Sequence, residues 1–432
     1  MTTDPQPPEP QRSDPAQPAS RRPRRAHGRL GGSAVTIALL AVVGVVVLAA
    51  VVTLALTWPG HVTPSGQAAG LGDAGVQHVN AEVTGSSMQS CDASVENMLP
   101  DGTLPASVAC LEVEARLTSG ADEGRVVSVY ATSGITKSDV PAGTRIIVEH
   151  YPAADGAPET WAWSDFSRGV PLGAFALAFV LVAAVVAGWR GLRAVAGLAV
   201  AFTVIWVYLL PALVAGKPAL LVGLAASVVI ITVALYLAHG PSLRTTTALG
   251  GTLAGLLLVA ALGVLGAHAA HLSPVASEDD YRLAALIGDH GVQTLHGVFL
   301  CGVVLAGLGV LNDVTITQSS AVWELRAADP TASWQALFTG GMRIGRDHIA
   351  STIYTIAFAY AGASLPVLMV LQLYDLPLGQ TLTSGIFAQE IIRTLAGSIG
   401  LILAIPLTTA IAVSVATRAT ARQLTAPGGH AH

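Results

Sequence analysis

The sequence has 432 residues, of which 52% are hydrophobic and only 11% are charged. An ordinary soluble domain has about a quarter of its residues charged, so this composition excludes such a protein and favours one embedded in a lipid bilayer. The net charge of −5 says little about partners, and we expect no nucleic-acid partner; three cysteines are too few for a disulfide-rich scaffold.

Residues 1–32 form a proline-rich tail with five arginines near its end, and we expect this tail to be unstructured. The first apolar run, residues 33–58, follows directly. A signal peptide would also start with a basic segment. This run is too long for a typical signal core, however, and no convincing small-x-small cleavage site follows it. We therefore predict a retained transmembrane anchor with the tail in the cytoplasm.

Residues 59–169 have ordinary polarity and are predicted to form an extracytoplasmic domain. Alternating stretches at 76–83, 110–117, 125–131, 145–151 and 160–163 predict five short strands separated by Gly, Pro, Asp and Ser. Strands spaced in this way favour a small all-β fold, an OB-like barrel.

Cys91 and Cys110 both fall in this domain, where oxidation is permitted, and we predict a disulfide between them. The domain either binds a ligand or partner or serves as a rigid cap, because a fold alone does not specify function.

Residues 170–417 contain further apolar runs long enough to cross about 30 Å of hydrocarbon as helices. The predicted spans are 170–188, 192–213, 220–238, 247–269, 292–311, 349–374 and 395–416. With the first anchor they give an α-helical polytopic membrane protein of about eight transmembrane helices, with a cytoplasmic loop at 312–348 and a cytoplasmic tail at 418–432.

Threading eight spans with the N-terminus inside places most arginines on the cytoplasmic side, as the positive-inside rule requires. The expected cytoplasmic residues are Arg190, Arg193, Arg244, Arg326, Arg343, Arg346, Arg418 and Arg422, and the short outer loops then hold Lys217, Arg282 and Arg393. We therefore expect a multi-pass protein of the bacterial cytoplasmic membrane with both termini in the cytoplasm.

The sixth span continues into a polar segment in which Asp313, Thr317, Ser320 and Glu324 follow at helical spacing. Residues at these offsets share one face of a helix. Two acids and two hydroxyls on that face could line a polar path or coordinate a cation through oxygen ligands. The alternative is a helix end whose polar face is simply hydrated, and the sequence leaves both interpretations open.

A second polar group precedes and enters the seventh span and comprises Arg346, Asp347, Ser351 and Tyr354. It could extend the same path, or Arg346 and Asp347 could form a structural ion pair at the membrane boundary. Near the eighth span, Glu390 and Arg393 are spaced to pair on one helical turn.

Enzyme signatures are weak, and we expect no enzymatic activity, cofactor or metal. His268, His271, His290 and His296 could gather on the outer side, but neither an HExxH motif nor a thiol pair accompanies them. Solvated loop histidines are the favoured interpretation. A phosphate-binding GxxxxGK[ST] loop is also missing from the sequence, so any driving energy would come from an ion gradient or another chain.

Four ordered motifs make the chain resemble the YibE/F-like family of bacterial multispanning membrane proteins. They are Leu-Asn-Asp-Val-Thr-Ile-Thr-Gln-Ser-Ser-Ala-Val-Trp-Glu-Leu at 311–325, Gly-Arg-Asp-His-Ile-Ala-Ser-Thr-Ile-Tyr at 345–354, Ala-Tyr-Ala-Gly-Ala-Ser-Leu-Pro at 359–366, and Glu-Ile-Ile-Arg-Thr-Leu-Ala-Gly-Ser-Ile-Gly at 390–400. Several motifs in order are more specific than one alone. The resemblance implies a multispanning membrane protein and no particular substrate. The positions that match are Asp313, Ser319, Ser320, Glu324, Arg346, Asp347, Ser364, Pro366, Glu390 and Arg393.

Two functional hypotheses follow. The first is a transporter- or permease-like protein with a polar path near residues 313–324 and 347–354, since a carboxylate beside hydrocarbon needs water or a partner. The second is a non-transporting scaffold or sensor whose outer β-domain binds a partner. We expect the lipid bilayer to surround the protein. Its protein partners would be a second copy of the chain or another membrane protein, and its substrate is unknown.

Overall fold

A computed structural model describes residues 34–60, 75–93, 97–99, 101–153, 158–288, 291–373 and 377–419. The strands are β1 Gln77–Cys91, β2 Val108–Leu117, β3 Val126–Tyr130, β4 Arg145–Tyr151 and β5 Thr160–Phe166. The helices are α1 Ala34–Leu56, α2 Gly169–Val204, α3 Leu210–Val214, α4 Ala219–His239, α5 Leu243–Ala269, α6 Glu278–Ile287, α7 Gly291–Ala328, α8 Trp334–Ala363, α9 Leu365–Leu373, α10 Leu378–Thr383 and α11 Gly385–Ala416, with a π-helical turn Ile205–Leu209 between α2 and α3.

The five strands form one antiparallel sheet in the order β3-β2-β1-β4-β5. Alternate side chains of β2 and β4 point into a shared core that includes Val113, Ala115, Ile146 and Val148. This alternation buries one face of the sheet. Because β1 is central, it fixes the register of both halves.

The predicted OB-like barrel is not confirmed. Within the described residues β3 and β5 are edge strands and no hydrogen-bonded ladder joins them, so the sheet is open. The strands themselves lie close to the predicted stretches. The clearest difference is β1, which continues beyond residue 83 through a register shift between Val83 and Gly85.

Six helical segments in the described part of the chain are long and apolar enough to cross a membrane. They are Ala34–Leu56, Gly169–Val214, Ala219–His239, Leu243–Ala269, Gly291–Ala328 and Gly385–Ala416. The predicted number of eight is therefore not confirmed.

The second of these segments accounts for part of the difference. A straight helix of its length would measure about 69 Å, more than twice the hydrocarbon thickness. The segment is broken at Gly188, whose φ of 57° and ψ of −143° are not helical. A positive φ suits glycine because it has no Cβ. The predicted second and third spans thus lie on either side of one break.

The predicted seventh span, residues 349–374, falls on α8 and α9. Neither helix meets the length and apolarity required of a spanning segment, since α8 carries charged residues and α9 is short. The end of this predicted span at Tyr374 lies outside the described residues.

The centre of the helical part consists of α5, α7 and α11, which pack against one another through small residues. A Cβ placed on Gly255 would lie 2.8 Å from Leu311, and one on Gly263 would lie 3.0 Å from Val303. Glycine at a crossing point lets two helix backbones approach closely. A buried hydrogen bond of 2.6 Å between the hydroxyls of Thr252 and Thr315 also joins α5 to α7.

Candidate functional site: a polar stripe and a cavity

One stripe along α7 is only partly covered by the other described helices. Its members recur every three or four residues and are all small or polar: Gly302, Ala306, Gly309, Asp313, Thr317, Ser320 and Glu324. Each is exposed or half-buried, whereas Thr315, Ser319 and Val322 on the other faces are buried. The four predicted residues therefore share one face of a helix, and the stripe extends beyond them.

The composition of this stripe differs from that of other exposed helix faces. On α2 the uncovered positions carry large apolar side chains such as Phe175, Phe179 and Val185, which are 55% to 83% exposed. Side chains of that kind suit a hydrocarbon solvent. The α7 stripe itself consists of small and polar residues, with the half-buried Leu305 and Val310 beside it, so it differs from the large apolar face of α2.

Arg244 of α5 meets one end of the stripe. Its Nε donates to Ser320 Oγ at 2.8 Å, and its Nη1 lies 3.4 Å from Glu324 Oε1. Ser319 Oγ donates to the Arg244 carbonyl oxygen at 2.9 Å. Because the side chains of Arg244 and Glu324 are 39% and 75% exposed, this ion pair contributes little to stability. Its charges instead make this end of the stripe polar.

Asp313 lies midway along the stripe and is exposed. The Thr317 hydroxyl donates to the Asp313 backbone carbonyl oxygen at 2.8 Å and leaves the carboxylate free. Within the described residues the Asp313 carboxylate makes no hydrogen bond or ion pair, so it is exposed on the stripe without a protein partner there.

Gln318 is a polar residue whose role the sequence did not indicate. It is 1% exposed, and its Nε2 donates to the Gly341 carbonyl oxygen at 2.8 Å and to Thr409 Oγ1 at 2.7 Å. A Cβ on Gly345 would lie 2.6 Å from Ile405 and 3.0 Å from Gln318 Oε1. The amide therefore joins α7 to α8 and α11 where glycines allow close approach.

The second predicted group on α8 is not brought against the α7 stripe. Gly345 and Ile356 pack toward α7 and α11. Asp347, Ser351 and Tyr354 follow the opposite face of α8 and are exposed. Arg346 is exposed as well. The predicted ion pair between Arg346 and Asp347 does not occur among the described residues, and α8 directs these groups away from Asp313.

A cavity of about 310 Å³ lies where α6, α7, α8 and α11 meet. It is lined by Pro274, Asp280, Leu295, Val298, Phe299, Gly302, Ala306, Tyr360, Gln389 and Arg393. Gly302 and Ala306 belong to the α7 stripe, so the stripe begins at this cavity. The cavity combines apolar walls with a few polar groups, as small-molecule sites do.

Arg393 and Glu390 form the predicted ion pair, and the structure places it at this cavity. Arg393 Nη1 donates to Glu390 Oε1 at 2.6 Å, and both side chains are about three-quarters buried. The guanidinium also lies over the Phe299 ring, 5.6 Å from its centroid. A Cβ on Gly302 would lie 3.8 Å from Arg393 Nη2, so the absence of a side chain at that position leaves room beside the cation.

The β-sheet carries charged clusters of its own. Glu149 accepts hydrogen bonds from the Tyr151 hydroxyl at 2.7 Å and the Ser164 hydroxyl at 3.2 Å, and it lies 3.3 Å from His78 Nε2. These contacts, the Tyr151 hydroxyl first, lower the pKa of Glu149. Cys91 and Cys110 are joined by a disulfide across β1 and β2, with 5.9 Å between their Cα atoms.

No group of three or more His, Cys, Asp or Glu side chains that could hold a metal ion occurs in the described part of the chain. His290, one of the four outer histidines considered from the sequence, lies outside that part.

The long apolar helices indicate an integral helical membrane protein with a small antiparallel sheet. A sequence model of the family described as YibE/F-like protein matches residues 175–418, more than half of the chain. The chain therefore belongs to the YibE/F-like family. No curated protein and no solved structure is significantly similar to it.

Proposed function

We propose that this protein is transporter- or permease-like and that its polar path runs along the α7 stripe. The observation that carries the proposal is the stripe itself, a partly exposed row of small and polar residues that runs along α7 from Gly302 to Glu324. A face of this kind needs water or a polar solute beside it, because a carboxylate such as that of Asp313 is costly in hydrocarbon.

The length of the stripe also fits a path across a bilayer. Gly302 and Glu324 are 22 residues apart, which corresponds to about 33 Å along a helix. The hydrocarbon core is about 30 Å thick. In the proposed orientation, the cavity at Arg393 opens to the extracytoplasmic side and the Arg244 end meets the cytoplasm.

In this proposal the polar residues of α7 line the path, and the exposed polar residues of α8 do not. Asp347, Ser351 and Tyr354 lie on the face of α8 opposite to Gly345 and Ile356. The path therefore consists of the α7 stripe with Arg244 of α5 at one end and Arg393 of α11 at the other. Asp313→Asn is expected to reduce solute flux, and Asp347→Asn is expected to leave it unchanged.

Cysteine accessibility tests the path without knowledge of the substrate. Single cysteines are introduced at Thr317 and Ser320 in a variant that carries Cys301→Ala, and the protein in membranes is treated with a small charged thiol reagent. Thr315→Cys is the matched buried control, since Thr315 is 0% exposed on the same helix. Thr203→Cys is the lipid-side control, because Thr203 is exposed among large apolar side chains of α2.

A water-filled path predicts rapid modification at residues 317 and 320 and little reaction at the two control positions, where the thiolate that reacts is disfavoured by burial or by hydrocarbon. The path would be contradicted if the cysteines at 317 and 320 did not react in the membrane but did react after denaturation in detergent. That result would instead favour a scaffold whose stripe packs on a partner helix.

A further inference from the structure

The cavity beside Arg393 has no assigned ligand, and the charged side chains that line it indicate which class of ligand it would bind. We propose that it binds a small zwitterion, an α-amino acid with a short apolar side chain. This inference deepens the proposed function and rests on it, because it names the class of solute that enters the path.

The carboxylate of the ligand would meet Arg393. A guanidinium carries five N–H donors, and Glu390 occupies Nη1 at 2.6 Å. Nε has no hydrogen-bond partner among the described residues. Arg393 lines the cavity, and its Nη2 lies beside Gly302, which also lines it. A carboxylate is the group that a guanidinium pairs with most strongly.

The ammonium group of the ligand would meet Asp280. Asp280 Oδ2 accepts from the backbone N–H groups of Ala276 at 3.0 Å and Ser277 at 2.9 Å, which holds this side chain at the start of α6. A carboxylate has about four lone-pair sites, so Asp280 retains acceptor capacity toward the cavity.

The cavity is lined by charged groups of both signs, Arg393 from α11 and Asp280 from α6, which favours a ligand that carries both signs. Arg393 is already paired with Glu390, and Asp280 adds a further negative charge. A simple anion would meet the negative charge of Asp280 without a compensating group, and a simple cation would make no use of the guanidinium donors that Glu390 leaves unpaired. A zwitterion satisfies both groups at once.

The size and the apolar lining of the cavity limit the side chain that the ligand can carry. A volume of about 310 Å³ is at the lower end of the range for small-molecule sites. Leu295, Val298 and Phe299 supply an apolar wall. A side chain of a few carbon atoms suits this wall.

Binding is tested on the full-length protein in lipid nanodiscs by calorimetric titration with three matched probes. L-valine carries both charges, isobutylamine lacks the carboxylate, and isovalerate lacks the ammonium group. We expect valine to bind at least tenfold more tightly than either of the other two. Equal binding of valine and one singly charged probe, or no binding of valine at millimolar concentration, would overturn the proposal.

Two variants connect binding to this cavity. Arg393→Lys keeps the charge but loses the planar fork, and we expect at least a tenfold loss of valine affinity. Gly302→Leu places a side chain in the cavity and should have the same effect. Gly362→Leu is the control, because a Cβ there has no atom within 4 Å and the residue is exposed on α8. Unchanged valine affinity in Gly302→Leu, with size-exclusion behaviour like that of the wild type, would overturn the assignment.

The two proposals fail in different ways. Valine binding with unreactive cysteines at 317 and 320 would support this site and contradict the path. Reactive cysteines without valine binding would contradict this site alone.

Discussion

Gly251→Ala tests the contact on which the helical core depends, the crossing of α5 and α11. A Cβ on Gly251 would lie 2.9 Å from both Cβ and Cγ2 of Thr408 and would overlap its hydroxyl oxygen. Thr408 is 0% exposed, and its Cβ is fixed to the backbone. The clash cannot be relieved by rotation of a side chain, so the two helices must move apart.

The expected size of the effect follows from two opposing contributions. Overpacking a core costs about 1–3 kcal/mol, and replacing glycine by alanine inside a helix gains up to about 1 kcal/mol. We expect a net loss of roughly 0.5–2 kcal/mol in the free energy of unfolding. Gly397→Ala on α11 is the control, because nothing lies within 4 Å of a Cβ there and only the gain remains.

The measurement is equilibrium unfolding in mixed micelles with increasing sodium dodecyl sulfate, followed by tryptophan fluorescence. Gly251→Ala should shift the midpoint to lower detergent fraction and Gly397→Ala to an equal or higher one. The reasoning is refuted if both variants become more stable by the same amount, because the helices would then not be in close contact at Gly251.

Three further predictions concern single contacts. Gln318→Met removes two buried hydrogen bonds and should destabilise the same unfolding transition by about 1–3 kcal/mol, and a loss below about 0.5 kcal/mol would contradict the described contacts. Because the pKa of Glu149 is lowered from 4.5 in the folded state, its contribution to the sheet is present above pH 4.5 and is lost as the pH falls through the lower folded pKa. The protection factors of β4 and β5 amides against hydrogen exchange in the full-length protein should therefore fall below pH 4.5, and Glu149→Gln should reduce this pH dependence. Replacing Cys91 and Cys110 by serine opens a loop with a sequence separation of 19 and should cost the sheet about 3 kcal/mol, measured as faster exchange in β1 and β2.

The strands were predictable because each has a local alternating pattern. Residues 145–151 were predicted with the boundaries that β4 has, since a buried residue occurs at every second position near Ile146 and Val148. The extension of β1 was missed. Gly85 with its neighbouring serines is typical of a turn, yet pairing with β2 carries the strand through a register shift there. The closing or opening of a sheet depends on contacts between distant strands and is not visible in such patterns.

The helix count was less predictable than the strands. Hydropathy identifies apolar runs but does not show whether two adjacent runs are separate helices or one helix with a break, as at Gly188. The run at 349–374 is divided between α8 and α9, and the charged start of α8 lowers its apolarity.

The candidate site was predictable only along single helices. Spacing placed Asp313, Thr317, Ser320 and Glu324 on one face because that relation is local. Spacing also suggested the pairing of Glu390 with Arg393, but the cavity beside it joins α11 to α6, α7 and α8, which precede it by tens of residues in the sequence. The burial of Gln318 likewise depends on α8 and α11 and has no local signal.

The break at Gly188 gives the preceding part of α2 an unusual dependence on its lipids. None of residues 169–187 is buried by the described part of the chain, so in a bilayer this part of α2 would be surrounded by acyl chains, which would set its tilt. Lipids with shorter chains would increase its tilt, and lipids with longer chains would reduce it. Because α2 begins shortly after β5, which ends at Phe166, bilayer thickness would also set the orientation of the sheet relative to the membrane surface.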